Sequence, residues 1–554
     1  MKIYHMFMTI LLAFSINVFA ENTLRERVYV QTDKQTYISG ELLWMKLYIT
    51  DETGKPSSFS KIGYVELLDE SDAHVQIKLD VVNGVGEGCM ELPVSLPTGN
   101  YLLTAYTRNM RNESEAVFFR KTIGVINTFR ANASIEIDSV ADISFSPVLQ
   151  DNNISVTAKI YTTRSQSEVL IQGLPEDLHS LGISIAGIDF VAGMDNIVKW
   201  HSLLPDYSSE QIKNDFLPEY EGHIISGKIV DAVTNEPCTE DGVYSLLGFT
   251  GDQLRIFGGM VDNEYNIQFV TDRITGSKEF AIAAIAPSDS KYRINIQSPF
   301  ALHSERELPV FRMNSKWEDQ LQLRSVGLQV LYAYFADSMS RADTTFSHFQ
   351  WKPDRSYVLD EYTRFTTMEE IVIEFIPSLR FRRINNKRYL MIFIDENNTF
   401  SLGNSLVLLD GIPITDHDII FRYNPLLVYK IDIFKDKFVF GNRRFEGVVS
   451  FTTYKHDYPG LILDETTQIF DYEGTQLRRH FYSPLYPEKS DAQRRMPDYR
   501  HTLLWMPDVK TGGQPSLSVP FSTSDLTGTF QITVEGLTKG GKFIRGTSFF
   551  NVEN

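Results

Sequence analysis

Cysteine is nearly absent: Cys89 and Cys238 are the only two in 554 residues. Two isolated thiols exclude a disulfide framework and predict small, buried, apolar side chains instead. The eleven histidines form no HExxH, HxH or Cys-His pair at zinc spacing, which leaves no metal ligands to name. There is no GxSxG elbow, because Ser184 in GISIAG is wrongly spaced, and no GxxxxGK[ST] loop; GVGEG precedes a strand pattern rather than a helix. With neither nucleophile and base, nor metal cluster, nor phosphate cradle, the chain is read as non-enzymatic, with no catalytic residues and no cofactor. Positive charge is scarce as well. The 53 basic residues stand against 71 acidic ones, a net charge of −18, which disfavours nucleic acid and anionic lipid as partners. Beyond the first twenty residues no apolar run reaches the 18 or so residues of a membrane span, so any membrane contact is by association only.

Aromatic residues, in contrast, abound. The 37 Phe and 26 Tyr often stand beside Val and Ile, which suits a half-buried pleated surface and predicts a β-rich protein. A chain of this length divides into several domains of roughly 100 to 150 residues. Residues 1–20 read as a removed secretory signal: Lys2 supplies positive charge, Met6 to Val18 is almost wholly apolar, and Ala20 closes the cleavage site. No cysteine lies near that cut, which argues against a lipoprotein. The expected location is the periplasm, outer membrane or surface of a Gram-negative bacterium.

From Arg27, apolar strands alternate with turns at Ser39-Gly40 and at Glu52 to Pro56, then continue in GYVELLD, VGEGCMELPV and GNYLLTAYT. Short strands with turn signals at such spacing indicate a β-sandwich. The strings TDKQTY..GE, DETGKP and LPTGNYLLTAYT, in that order, resemble the second macroglobulin domain of the alpha-2-macroglobulin family, assigned here to residues 21–130. A thioester at Cys89 is excluded by sequence, since Glu91 follows and no Gln is near it in the chain. Residues 131–205 predict a second sandwich and 206–221 a linker. HIISGKIVDAVTNEPC then resembles the opening of carboxypeptidase-regulatory-like domains, small transthyretin-type sandwiches found upstream of plug domains in Bacteroidetes envelope proteins; this domain is placed at 222–302. In the connector 303–356, Trp317, Leu321, Leu323, Val326, Leu328, Leu331 and Phe335 recur at helical spacing, with Ser315 as a cap.

Residues 357–455 resemble the plug domain of TonB-dependent outer-membrane receptors. The opening helix has Thr366 or Thr367 as cap and Glu369-Glu370 in its first turn. LVLLDGIPITD follows, where Leu406 to Leu409 read as a buried strand ending in a turn at Asp410, Gly411 and Pro413, and then NPLLVYKIDIFKD and FGNRRFEGVVSFTTYK. A 22-strand receptor barrel needs over about 200 residues, whereas 554 − 454 leaves 100 after Tyr454. The plug-like domain is therefore expected to stand without a barrel. A linker at 456–497 and a C-terminal immunoglobulin- or macroglobulin-like β domain at 498–554 complete the reading.

The fold class expected is mainly β: tandem macroglobulin-, transthyretin- and immunoglobulin-like sandwiches with one α+β plug-like domain. The expected role is an exported binding or assembly module with a protein partner, an outer-membrane β-barrel complex being the candidate. The alternatives are a macroglobulin-like protease inhibitor, with its bait in the Arg-bearing segment 456–497, and an adhesin or structural surface protein.

Overall fold

The computed structural model describes residues 24–130, 136–138, 154–157, 161–188, 215–251, 254–314, 317–339, 351–384, 386–395, 398–440, 443–484, 486 and 497–554. The signal segment with Ala20, the cap Ser315 and the segment 487–496 lie outside them. The fold is mainly β, with longer helices only at Glu318–Met339, Met368–Glu374 and Asp418–Arg422 among the described residues. The chain divides into two compact units: Met1–Tyr220, Phe300–Thr344 and Gln476–Asn554 form one; Glu221–Pro299 and Thr345–Thr475 form the other.

The first unit begins with eight strands in the order Glu26–Thr32, Leu42–Asp51, Val85–Glu91, Ala73–Val82, Ile62–Leu68, Gly99–Tyr106, Phe119–Ile126 and Thr36–Ile38. Val28, Leu43, Leu47, Tyr64, Leu103, Tyr106 and Phe119 fill its core. Leu42–Asp51 is buried along nearly its whole length, on both faces, because its outer face meets the next sandwich. There Lys46 Nζ donates to Ser180 Oγ at 2.6 Å and Tyr48 OH to the Glu535 carbonyl at 2.9 Å.

That next sandwich corrects the sequence reading. Gln166–Gln172 pairs antiparallel with Ser516–Ser522 along its entire length, and Leu178–Gly187 lies between Gly528–Thr538 and Thr502–Met506. The segments assigned to a second sandwich and to a separate C-terminal domain thus share two sheets and one core of Val169, Ile171, Ile183, Leu503, Phe521, Ile532 and Phe550. The physical reason is plain in the burial of Gln166–Gln172, which alternates strictly exposed and buried. Such a strand covers one face only, and its ladder partner Ser516–Ser522 and most of the layer opposite come from more than 300 residues away. The linker before residue 221 is also fastened down in this unit. Glu219 accepts from Tyr64 OH at 3.0 Å, and Phe216 lies under the Arg111 guanidinium at 4.0 Å.

In the second unit, Met260–Val261, Asn266–Val270, Ile224–Asp231 and Tyr292–Ile296 form one sheet of a small sandwich. Ile256–Gly258, Tyr244–Phe249, Ser277–Ile285 and Thr467–Glu473 form the other. Thr467–Glu473 is a second correction, since it lies in the expected linker 456–497 yet pairs with Ser277–Ala283 throughout. Phe470 and Tyr472 pack on Phe280 and hold it there. The remaining residues build a five-stranded mixed sheet in the order Arg355–Val358, Val428–Phe434, Val448–Thr453, Leu406–Leu409, Ile412–Ile414, beside a three-stranded sheet of Leu379–Ile384, Lys387–Ile394 and Thr399–Phe400. Met368–Glu374 opens with a capping box: Thr367 Oγ1 accepts from the Glu370 backbone while the Glu370 carboxylate accepts from the Thr367 backbone.

Candidate functional site

Four apolar residues in a row form a strand only where both faces are covered, as Leu406–Leu409 illustrates. Val407 and Leu409 join the core of Ile371, Ile431 and Phe451, while Leu406 and Leu408 join Leu246 and Ile256 of the small sandwich. The strand runs parallel to Val448–Phe451 on one side and antiparallel to Ile412–Ile414 on the other. Between Leu409 and Ile412, Asp410 at φ 48° and Gly411 at φ 85° make the two-residue turn that an Asp-Gly pair favours.

The structure brings Asp410, Gly411 and Pro413 together at this turn, inside the second unit and against its sandwich. The Asp410 carboxylate is buried: Oδ1 accepts from the Thr453 backbone N–H at 2.7 Å, and Oδ2 accepts from Thr453 Oγ1 at 2.6 Å and the Tyr458 N–H at 2.8 Å. The Asp410 carbonyl in turn accepts from the Gly251 N–H at 3.0 Å. A side chain on Gly411 would overlap the Phe249 carbonyl oxygen, and one on Gly248 would overlap the Gly411 carbonyl and press on Pro413. Nearby, Tyr458 OH donates to Glu279 at 2.9 Å. The turn is a built contact between the five-stranded sheet and the sandwich, and the donors and acceptors just named are satisfied by this chain.

A second cluster lies in the first unit, where sequence reasoning saw a family resemblance but no chemistry. In TDKQTYISGE the Asp33 carboxylate accepts from Tyr37 OH at 2.7 Å, the Trp44 N–H at 3.1 Å and Thr502 Oγ1 at 2.7 Å. Lys34 Nζ stands 3.2 Å from Glu41, and Arg324 grips Glu41 with two bonds of 3.0 and 2.8 Å. Burial alone would raise the Glu41 carboxyl; Arg324 and Lys34 outweigh it and bring it to about 2. A cavity of about 70 Å³ adjoins these residues, lined also by Trp44, Phe481, Tyr499 and His501. One water needs roughly 10–15 Å³, so the space suits a few waters among polar groups. Arg324 sits within the apolar pattern of Glu318–Met339. The helix therefore seats itself through Arg324, Gly327 and Leu328, leaving Leu323 and Val326 exposed.

Other aromatic and polar side chains are absorbed by packing. Tyr101, Tyr106 and Phe118 are core residues, Ser184 donates to the Asp33 carbonyl at 2.6 Å, and His223 is buried between Tyr472 and the Ile274 carbonyl. Gln476 does meet Cys89, but through its backbone: the Cys89 N–H donates to Oε1 at 2.9 Å and Nε2 donates to the Cys89 carbonyl at 2.6 Å. Burial pushes the Cys89 thiol up to about 11, so it stays protonated and unreactive near neutral pH. No group of three or more His, Cys, Asp or Glu side chains positioned to hold a metal ion is found among the described residues.

No family model matches the chain, and no curated protein matches it. Among solved structures, Salmonella alpha-2-macroglobulin reacted with methylamine is 10% identical, over 95% of this chain and 39% of that one, with a TM-score of 0.24. Escherichia coli alpha-2-macroglobulin activated by porcine elastase is 9% identical, over 95% and 44%, also at 0.24. The Escherichia coli adhesin FdeC is 9% identical, over 49% and 62%, at 0.15. The chain spans less than half the length of the macroglobulins it is similar to. At such TM-scores none of these likenesses carries an argument about what this chain does.

Proposed function

We propose that the chain is an exported, non-enzymatic binding or assembly protein of a Gram-negative envelope, with an outer-membrane β-barrel complex as its partner. The observation that carries this reading is the way Asp410 and Gly411 are engaged. The turn is welded to a sandwich of its own unit, so the plug-like domain is a fixed part of a β scaffold and offers its remaining faces for contact. The buried charged groups point the same way, toward rigidity rather than poised chemistry. Glu26 accepts from Ser57, Ser60 and Thr107, Arg27 pairs with Glu113, and Arg500 pairs with Asp498. The inhibitor alternative needs an accessible bait within 456–497, against which stand the pairing of Thr467–Glu473 and the bonds from Gln476 to Cys89.

Fractionation with surface protease shaving, followed by crosslinked pull-down from the native envelope, tests the proposal. Co-purification with an outer-membrane barrel is the expected result. A monomeric periplasmic protein that captures nothing would sink it.

A further inference from the structure

In a chain with 18 more acidic than basic residues, the stretch 380–388 stands apart. Arg380, Arg382, Arg383, Lys387 and Arg388 fall within nine positions and no acidic residue interrupts them. They lie on the hairpin of Leu379–Ile384 and Lys387–Ile394, whose register closes at Ile384 opposite Lys387, and among the described residues Leu379–Ile384 is the edge strand of its sheet.

Strand alternation sorts these cations into two sets. Arg383 and Arg388 stand opposite each other on the inner face, where both reach Glu369 and Arg388 also reaches Asp418. Phe381, on that same face, packs edge-on against Phe421. The outer face carries Arg380, Arg382, Ile384 and Lys387. Arg380 lies over the Phe400 ring at 4.7 Å, while Arg382 and Lys387 are exposed and meet no acidic partner among the described residues. Half-buried Tyr389 and Met391 lie across from Arg382 and Arg380 on this face.

The backbone phase matters as much as the charge. A two-residue turn makes its flanking residues a hydrogen-bonded pair, so positions 380, 382 and 384 bond to the neighbouring strand. Phe381 and Arg383 therefore turn their N–H and C=O groups out of the sheet. Outward donors and acceptors in alternation at strand spacing are what a peptide backbone complements; a sulfate or phosphate group supplies acceptors alone.

From this juxtaposition we propose that the edge strand Leu379–Ile384 receives an extended acidic peptide segment of a partner protein as an added strand. Its backbone bonds to Phe381 and Arg383, and its carboxylates meet Arg382 and Lys387 with Arg380 beside them. The inference rests on the reading of the chain as a binding module and names the surface and the chemistry of what it holds.

The test is fluorescence anisotropy of the full chain with a labelled peptide of alternating Glu and Val or Thr, at low and at physiological salt, with heparin and anionic vesicles as further probes. Wild type binds the peptide, more weakly as salt rises, and R382E/K387E lowers affinity by about tenfold or more. Arg383→Pro removes an outward N–H without touching the hairpin ladder; it abolishes binding with circular dichroism unchanged, while Arg383→Ala retains it. Peptide binding undiminished in R382E/K387E or in Arg383→Pro overturns the proposal. So does equal binding of heparin or vesicles insensitive to Arg383→Pro, which would leave simple anion attraction. Self-association of R382E/K387E with peptide binding intact also overturns it, because the cations would then only keep copies from pairing edge to edge. If R382E/K387E still captures its partner from the envelope, this surface is wrong and the module reading stands; if the peptide binds but no partner is captured, the reverse holds.

Discussion

In the unit containing residues 24–130, the helix Glu318–Met339 is held by a guanidinium on a buried carboxylate, Arg324 on Glu41. In the unit beginning at Glu221, the five-stranded sheet is held by backbone pressed on backbone, a side chain on Gly411 meeting the Phe249 carbonyl and one on Gly248 the Gly411 carbonyl. Both arrangements fix an added element to a β-sandwich. They fail differently. An ion pair tolerates small shifts but depends on protonation and on both partners being present, whereas a close backbone approach ignores pH and admits no side chain at all.

Removing one ion from the first arrangement has the largest expected effect. Arg324→Met leaves Glu41 and Lys34 buried with an incomplete set of partners, and destabilises the first unit by about 3–5 kcal/mol; hydrogen exchange in peptides of the eight-stranded domain rises while the second unit keeps its protection. Gly411→Ala does the opposite. The new methyl meets the Phe249 carbonyl in a left-handed conformation, at an expected loss on the order of 3 kcal/mol confined to the second unit. If instead both units soften equally in either variant, the contrast between them is unfounded.

Acid sharpens the comparison. Burial holds His417 neutral and lowers it from 6.5 to about 4, with its Nδ1 accepting from the Leu390 N–H at 2.9 Å. The unfolded chain takes up that proton first, so this contribution to the second unit is lost as pH falls from 6.5 through 4, by roughly 3 kcal/mol in all. Glu41 is depressed in the fold to about 2, so its contribution to the first unit persists above 4.5 and disappears as pH falls from there through 2. Between pH 6.5 and 4.5, below the range where the buried Lys46 and Lys121 of the first unit take up their protons, the urea midpoint is expected to decline in the second unit first; a first unit that declines more steeply over that window contradicts the assignment. The smallest effect is Thr367→Ala, which breaks the capping box of Met368–Glu374 at about 1 kcal/mol, detectable as a lowered midpoint in the second unit alone.

The elements legible in the sequence are those set by neighbours along the chain. Leu406 to Leu409 read as a buried strand, Asp410-Gly411 as its turn, and Thr366 or Thr367 as a cap, because apolar runs, an Asp-Gly pair and a Thr three residues before a Glu each act within a few residues; the structure settles the cap on Thr367. What Asp410 touches was not legible, since Thr453 and Tyr458 lie more than forty positions on. Arg324 was hidden in an apolar helical pattern, because its carboxylate is Glu41, nearly 300 residues earlier. Thr467–Glu473 was passed over for a like reason. Its aromatic residues answer Phe280, and alone they look like an acidic loop. The cations of RFRRINNKR were in plain view, but only the register of the hairpin separates the paired Arg383 and Arg388 from the exposed Arg382 and Lys387.

The strand exchange between residues 166–187 and 502–553 has a consequence for how the molecule comes into being. The early strands expose Val169, Ile171, Leu181 and Ile183 while more than 300 residues, including the whole second unit, are still to be made or exported. Closing a loop of that length adds only slowly to the entropic penalty, but contacts so distant in sequence delay the step that rewards it. A half-built sheet with an open edge is meanwhile prone to the wrong partner. Completion of this sandwich therefore waits for residues 502–553, long after its first strands have been made.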